Sequence, residues 1–327
     1  MIHLELINLY MKILITHIDL DGYGGNILER LYHDQLNFDL VLNKNYGFES
    51  DLDIKQYINS NNDILIMDLS IPEGTFIEWS GILKSLHVLD HHNSSEFLSK
   101  YSGNVWDTSR CGTKLFYEEY VLNHIHQDFD ENIKNNIKRF VDIVDTYDRW
   151  QENSELWESA KRLMKVNMGF GSDFVDHMVF KLQNNSPDRW DRRELKIIKE
   201  KEDIENTIIS DISKNLQIRT DNSGYKFTIN QIDYTPAVSI CCSRFLDQHP
   251  EIDYIIIYNK WAKKMSWRTK KDIDLTQIHG VNGHKQAAGS EGGKSLSELV
   301  QYGRCPRWVT GNERKCKNVI VEKIRAK

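Results

Sequence analysis

Four stretches of the 327-residue chain carry acidic and imidazole side chains in patterns that could hold metal ions. The first is Thr16-His17-Ile18-Asp19-Leu20-Asp21-Gly22, directly after an apolar run. Alternate residues of an extended backbone point to one side, so His17, Asp19 and Asp21 are expected to converge just past a strand. Gly22, Gly24 and Gly25 then let the chain turn sharply and approach a ligand closely. The second is Asp68, which closes the run Asp63 to Met67. The third is Asp90-His91-His92, after Leu86 to Leu89. The fourth is Asp142, Asp145 and Asp148, within FVDIVDTYDRW at the end of a helix.

Each stretch alone has an ordinary reading. An aspartate after a strand caps turns and helices, and carboxylates three apart on a helix form a solvated face. Their coincidence points further. Three successive strands each end in a carboxylate or an imidazole, and a parallel sheet gathers such ends at one edge. Four carboxylates and two imidazoles suit a pair of divalent ions. Oxygen-rich ligation with some histidine favours manganese, with magnesium, cobalt or iron as alternatives, over structural zinc. Two such ions about 3.5–4 Å apart lower the pKa of a shared water and clamp the attacking and leaving oxygens of a phosphoryl displacement.

The elements that must position these groups follow from the apolar pattern. Lys12 to Thr16, Asp39 to Leu42, Asp63 to Met67 and Leu86 to Leu89 read as strands. Helices are expected over Gly25 to Leu36, Gly74 to Lys84, Gly112 to His126 and Asn132 to Asp148. Apolar strands alternating with helices predict an α/β unit, a Rossmann-like parallel sheet with helices on both faces. Ser186 and Pro187 read as the start of a long charged helix reaching Lys214, with Ile197, Ile204, Ile208 and Ile212 as its apolar stripe. It is expected to connect the two parts of the chain. Beyond it, strands over Tyr225 to Ile229, Tyr254 to Tyr258 and Lys264 to Arg268, a helix over Ala237 to Gln248 and a glycine-rich segment from Gly280 to Gly293 predict a smaller α/β domain. The expected division is 1–185, a connecting helix over 186–215, and 216–327.

Composition sets the bounds. The chain is 40% hydrophobic and 28% charged, in the range of soluble globular proteins. A formal charge of −6 excludes a protein that coats nucleic acid by bulk attraction. No apolar run approaches the roughly 18 residues that span a bilayer. The start lacks a basic region, and Glu5, Asn8 and Lys12 interrupt its apolar stretch, unlike a signal peptide. Met1 to Tyr10 precede a second methionine, Met11, and are expected to be an upstream-start extension or an edge element. Five cysteines without metal-type spacing fit reduced thiols in a cytoplasmic protein.

In order and type, these motifs resemble the DHH phosphoesterase superfamily, named for the triplet seen here as Asp90-His91-His92. The resemblance covers most of the chain. It takes in His17 to Gly22 (H-x-D-x-D-G), the strand-end Asp68, the triplet, and Tyr147-Asp148-Arg149-Trp150. Asn282-Gly283-His284-Lys285-Gln286-Ala287-Ala288-Gly289 is similar to the G-G-H-x-x-A-A-G signature of the DHH-associated substrate-binding domain. It departs at Asn282, a residue type that still tolerates positive φ. Tyr147 to Trp150 and Ala160-Lys161-Arg162-Leu163 look like the nano-RNase (oligoribonuclease) branch and related phage or prophage exonucleases. The likeness to RecJ-type exonucleases is weaker.

The resemblance implies a manganese-dependent phosphodiesterase or exonuclease with two divalent cations, magnesium or cobalt being alternatives. It would release 5′-mononucleotides from short single-stranded RNA or DNA in a cleft between domains. His17, Asp19, Asp21, Asp68, His91 and Asp148 would ligate metal, with Asp68 bridging and Asp145 the alternative to Asp148. His92 would protonate the leaving oxygen, and Asp90 would hold an imidazole in its working tautomer. Arg268, Gly283 and His284 would meet the substrate phosphate or terminal nucleotide, and Ser109, Gly112 and Thr113 would lie near the site. Alternative activities are cleavage of cyclic or linear dinucleotides and hydrolysis of 3′-phosphoadenosine phosphate. A non-catalytic nucleotide-binding scaffold or a pyrophosphatase fits the motifs less well. The sequence leaves open RNA against DNA, the polarity of cleavage, and whether the chain is a homodimer.

Overall fold

The computed structural model describes residues 10–124, 129–221, 223–232, 238–259, 264–277, 282–291 and 321–322. The chain divides into two compact units, Met1–Leu195 and Lys196–Lys327. The first holds strands β1 (Lys12–His17), β2 (Leu40–Lys44), β3 (Asp63–Met67), β4 (Ser85–Asp90) and β5 (Val105–Trp106). Its helices are α1 (Leu20–Leu31), α2 (His33–Leu36), α3 (Leu52–Lys55), α4 (Glu73–Ile82), α5 (Gly112–Leu115), α6 (Leu122–His124), α7 (Glu131–Asp148), α8 (Trp157–Phe170) and α9 (Phe174–Asn184). A π-helical turn over Phe116–Val121 joins α5 to α6, and α10 (Arg192–Lys214) runs from the first unit into the second.

The first sheet has the order β2-β1-β3-β4-β5, and every pair is parallel. Ile13, Leu14 and Ile15 of β1 are at most 1% exposed, as expected of a strand covered on both faces. One core joins these strands to Phe48, Phe76, Trp79, Phe97 and Leu98. The register matters most for function. Thr16 lies opposite Met67, and Met67 opposite Leu89. The next row therefore brings together His17, Asp68 and Asp90 at the carboxyl edge. Strand order reverses between β1 and β3, and at such a switch point the chain leaves in two directions and opens a crevice.

α10 begins later than the sequence suggested. Ser186 and Pro187 precede it in a turn, and its first turn is closed by a reciprocal capping box: the Asp191 N–H donates to Glu194 Oε2 at 2.7 Å and the Glu194 N–H to Asp191 Oδ1 at 2.8 Å. The helix is also more than a connector, because Ile209 and Ile212 enter the core of the second unit. The helix expected to reach His126 is described as far as His124, with a π turn in it.

The second unit is a mixed sheet of β6 (Ile218–Thr220), β7 (Lys226–Ile232), β8 (Tyr254–Asn259), β9 (Lys264–Thr269), β10 (Asn282–His284), β11 (Ala287–Glu291) and β12 (Val321–Glu322), with α11 (Val238–Gln248) between β7 and β8. The order is β10-β11-β9-β8-β7-β6-β12, and β7 with β8 is its parallel pair. Alternation along β8 splits two cores. Tyr254 and Ile256 join Trp267, Phe227 and Leu275, whereas Ile255 and Ile257 join Phe245, Cys242 and the C-terminal end of α10. Among the described residues, no helix is long and apolar enough to cross a membrane.

Candidate metal centre

β1 delivers His17 to the sheet edge, and the chain turns at once into α1. The helix starts at Leu20, not Gly25, so His17, Asp19 and Asp21 do not sit on one extended segment. Asp19 is the helix cap, its side chain accepting from the Gly22 N–H at 3.1 Å. Asp21 lies in the first turn. What permits so abrupt a start is space. A Cβ on Gly22 would stand 2.1 Å from the His17 carbonyl oxygen, on Gly24 2.0 Å from Thr113 Oγ1, and on Gly25 2.5 Å from Met67 Sδ. These glycines are packing gaps inside a helix rather than a loop. Asp21 is held by the amino end of α5, where the backbone N–H groups of Gly112 and Thr113 donate to its two oxygens at 2.6 and 2.7 Å. Ser109 instead donates its N–H to Asp107 Oδ1.

β3 ends in Asp68, which is 1% exposed and has a left-handed backbone, φ +59°. Asp68 still donates its N–H to the Leu89 carbonyl at 3.0 Å, so the ladder runs one residue past the strand before the chain leaves it. An aspartate held in this region marks a position under constraint. Its two oxygens face different neighbours: Oδ1 is 3.3 Å from His91 Nε2 and Oδ2 is 3.8 Å from His17 Nδ1. β4 delivers the triplet. Asp90, fully buried, accepts from Ser70 Oγ, Ser95 Oγ, the His91 N–H and His92 Nδ1, the last at 2.7 Å.

α7 supplies the remaining side. Its buried stripe of Ile137, Phe140, Val141 and Val144 docks it on the unit. Trp150, at φ +54°, ends it and packs edge-on against Trp157, with Tyr147 stacked on the same ring. The three aspartates then separate. Asp142 pairs with Lys114 and Lys138 at 3.1 and 3.0 Å. Asp145 Oδ1 accepts from the Cys111 N–H at 2.9 Å. Asp148 Oδ2 lies 3.4 Å from His91 Nε2. The structure thus brings together His17, Asp19, Asp21, Asp68, Asp90, His91, His92 and Asp148, and turns Asp145 away.

Donor atoms of Asp68/Asp90/His91/His92, of His17/Asp19/Asp68 and of Asp21/His91/Asp148 lie within 4.8 Å of one another in each group. Burial, with the charges of Asp21, Asp19 and Asp148 behind it, pushes Asp68 well above the usual carboxylate range. Burial and Asp21 likewise push Asp148 up to about 8. Burial opposes charge on His91, yet Asp148, Asp21 and Asp90 outweigh it and raise the imidazole. Asp90 goes the other way: burial is outweighed by hydrogen bonds from His92 and Ser95, so it is held low and ionised. Two buried oxygens, Asp68 Oδ2 and Asp148 Oδ2, have no hydrogen-bond partner among the described residues. Crowded carboxylates with orphaned oxygens call for positive charge. The nitrogen–oxygen gaps of 3.3–3.8 Å are close to the roughly 3–3.4 Å kept by two donors sharing one cation at about 2.1 Å. The residues fit divalent cations.

In the second unit, Arg268 of β9 lies opposite Ala287 of β11, which lies opposite His284 of β10, while Gly283 faces Ala288. The Arg268 guanidinium donates to Ser239 Oγ at 2.7 Å and to the Trp267 and Ala288 carbonyls. Gly283 and His284 are described through their backbone. Sequence reading missed Ser70 and Ser95, which fix Asp90, and Tyr46, whose hydroxyl is 2.9 Å from His92 Nε2. Tyr46 carried a signal: it follows β2, whose carboxyl end lies at the same sheet edge.

No family model and no curated protein sequence matches the chain. Solved structures do. The DHH domain of a protein assigned to a family of ribosomal proteins superposes with a TM-score of 0.62 at 17% identity, over 90% of this chain and 86% of that one. RecJ from Thermus thermophilus, in complex with Mn2+, gives 0.57 at 13% identity, over 89% of this chain but 51% of RecJ. An exonuclease RecJ bound to manganese gives 0.50 at 13% identity, over 89% and 88%. With Asp90-His91-His92 closing its fourth strand, the chain has the fold of the DHH-domain proteins.

Proposed function

We propose that the chain is a hydrolase of phosphodiesters, releasing 5′-mononucleotides from short single-stranded oligonucleotides. One observation carries this: three donor groups meet at a sheet edge around buried carboxylate oxygens that lack hydrogen-bond partners among the described residues. His17, Asp19, Asp21, Asp68, His91 and Asp148 would hold two divalent cations, manganese first among them, with the two oxygens of Asp68 turned to the two sides. Bound there, such cations supply the Lewis acidity that makes water nucleophilic near neutral pH and offsets charge on phosphoryl oxygens. The rest falls to side chains. Gly112 and Thr113 hold Asp21 in place. Asp90 keeps a hydrogen on His92 Nδ1, so the opposite nitrogen is the one that serves the substrate. Arg268, Gly283 and His284, neighbours across three strands, are proposed to meet substrate phosphate or terminal nucleotide; a guanidinium bonds two oxygens at once. An intact ligand set favours an enzyme over a non-catalytic scaffold. With a net charge of −6, short substrates suit it better than long ones.

The test is direct. Purified protein with manganese is incubated with labelled dinucleotides, longer RNA and DNA oligomers, cyclic dinucleotides and 3′-phosphoadenosine phosphate. Mononucleotide release from the linear dinucleotides and oligomers is expected to be fastest. No release from any of them discards the proposal, and faster turnover of the last two reassigns the substrate.

A further inference from the structure

We propose that Asp145 is a positioning residue of the metal centre: without being a ligand itself, it sets how far apart Asp21 and Asp148 stand, and so governs the cation that those two would share. This rests on the reading of the sheet edge as a two-cation centre, and not on which phosphodiester is cut.

The first amides of a helix have no partner within it. In α5 the cap residue, Cys111, offers no side-chain hydrogen bond to them. Carboxylates from two other helices take the place of a cap. The Cys111 N–H donates to Asp145 Oδ1 of α7 at 2.9 Å. The Gly112 and Thr113 N–H groups donate to Asp21 Oδ2 and Oδ1 of α1 at 2.6 and 2.7 Å. The Thr113 hydroxyl adds a bond to the Asp21 carbonyl at 2.5 Å. The start of α5 is thus a short strut, with α7 at one end and Asp21 at the other. Its members are out of water: Cys111 and Thr113 are fully buried, and Asp21 and Asp145 are 1% and 5% exposed.

The strut matters because α7 also carries Asp148, three residues beyond Asp145. Asp21, His91 and Asp148 form one of the three donor groups, with His91 Nε2 3.8 Å from Asp21 Oδ2 and 3.4 Å from Asp148 Oδ2. Asp148 is mounted on α7 directly. Asp21 is tied to the same helix through Thr113, Gly112, Cys111 and Asp145. The group His17, Asp19 and Asp68 is mounted differently, on β1, the cap of α1 and the end of β3. Asp145 itself is outside all three groups. Its Oδ2 faces Gln151 Nε2 at 3.2 Å, Arg149 Nη1 at 3.5 Å and Lys114 Nζ at 3.6 Å. Two side-chain cations and an amide therefore complement the oxygen that a ligand would turn to metal.

The test sets Asp145→Ala beside Asp145→Asn in the full chain. Asparagine keeps an oxygen that can accept from Cys111 and drops the charge. Manganese binding is read from the electron paramagnetic resonance of the free ion, and thermal unfolding is compared without metal. The wild type is expected to take up two ions per chain. Asp145→Ala should hold one of them as the wild type does and weaken the other by about 10–100-fold, whereas Asp145→Asn should stay within about threefold at both. If the alanine variant does not fold, Cys111→Pro removes the donor of the same bond. The Cys111 backbone, at φ −73°, is one that proline adopts, and the same loss at one site is expected. Two undisturbed sites in Asp145→Ala or in Cys111→Pro overturn the proposal. So does equal weakening of both sites, or an asparagine variant as weak as the alanine one, which would make Asp145 a ligand. Cleavage is not among these readouts, so failure of the phosphodiesterase reading, seen as two bound ions without hydrolysis, is distinct from each of them.

Discussion

At the scale of single residues, Asp68 separates stability from function. Its carboxylate is repelled by Asp21, Asp19 and Asp148 in the cation-free chain. Asp68→Asn keeps the volume and the tolerance of left-handed backbone while removing the charge. Thermal unfolding of the metal-free variant is expected at or above the wild-type temperature. Turnover is expected to fall by roughly a thousandfold, the loss of about 4 kcal/mol of electrostatic stabilisation. A variant that loses stability and keeps activity would contradict this. Asp148 gives the pH dependence. Its folded pKa, about 8, lies above that of an unfolded aspartate. Its contribution to stability is then complete at acid pH and is lost as pH rises through about 8. Metal-free protein should resist urea better at pH 6 than at pH 9. The same proton must leave before a cation binds, so manganese affinity should climb from pH 6 to 8, with proton uptake by buffer seen in calorimetry. Pairs with ordinary surface chemistry, such as Lys196–Glu200, should matter little.

At the scale of elements, close contact between helices and strands governs both stability and what could be read beforehand. Gly24→Ala would drive a methyl into Thr113, and Gly112→Ala into Asp68 Cβ at 2.5 Å. Each is expected to cost about 1–3 kcal/mol in denaturant unfolding. Gly81→Ala on α4 meets open space and should be neutral or stabilising by up to about 1 kcal/mol. Strands β1, β3 and β4 were legible because their apolar runs are short and end in acidic or imidazole residues, and their register then sets the row of His17, Asp68 and Asp90, whereas the two-residue β5 was not. The early start of α1 was not legible. Three glycines after His17 look like a turn in sequence, and only the neighbouring Thr113 and Met67 reveal them as clearances. The start of α10 could have been found, since Asp191 and Glu194 have the spacing of a capping box. The choice between Asp145 and Asp148 could not. Residues three apart on a helix fan by about 60° per step, so which of them faces the site depends on the roll of α7. Nothing in type or spacing marks Ser70 or Ser95, whose role comes from what they touch, whereas the place of Tyr46 after β2 was a usable signal.

At the scale of the molecule, the acidic balance makes a prediction about ionic strength. A chain with net charge −6 that touches few phosphates should release few counterions on binding. The KM for a dinucleotide is expected to change by less than about threefold between roughly 50 and 200 mM salt; a steep slope would indicate a longer nucleic-acid track. The parallel sheet carries a different consequence. Its strands are spaced about 4.8 Å apart by backbone hydrogen bonds, and His17, Asp68 and Asp90 each hang from one of three neighbours. A hydrogen-bonded ladder is a ruler with fixed gradations, and side chains mounted on it tolerate little change in ionic radius. Calcium, which prefers oxygens at about 2.3–2.6 Å and more of them, should enter such a frame without fitting it. It would then act as an inhibitor that competes with manganese while leaving the fold intact.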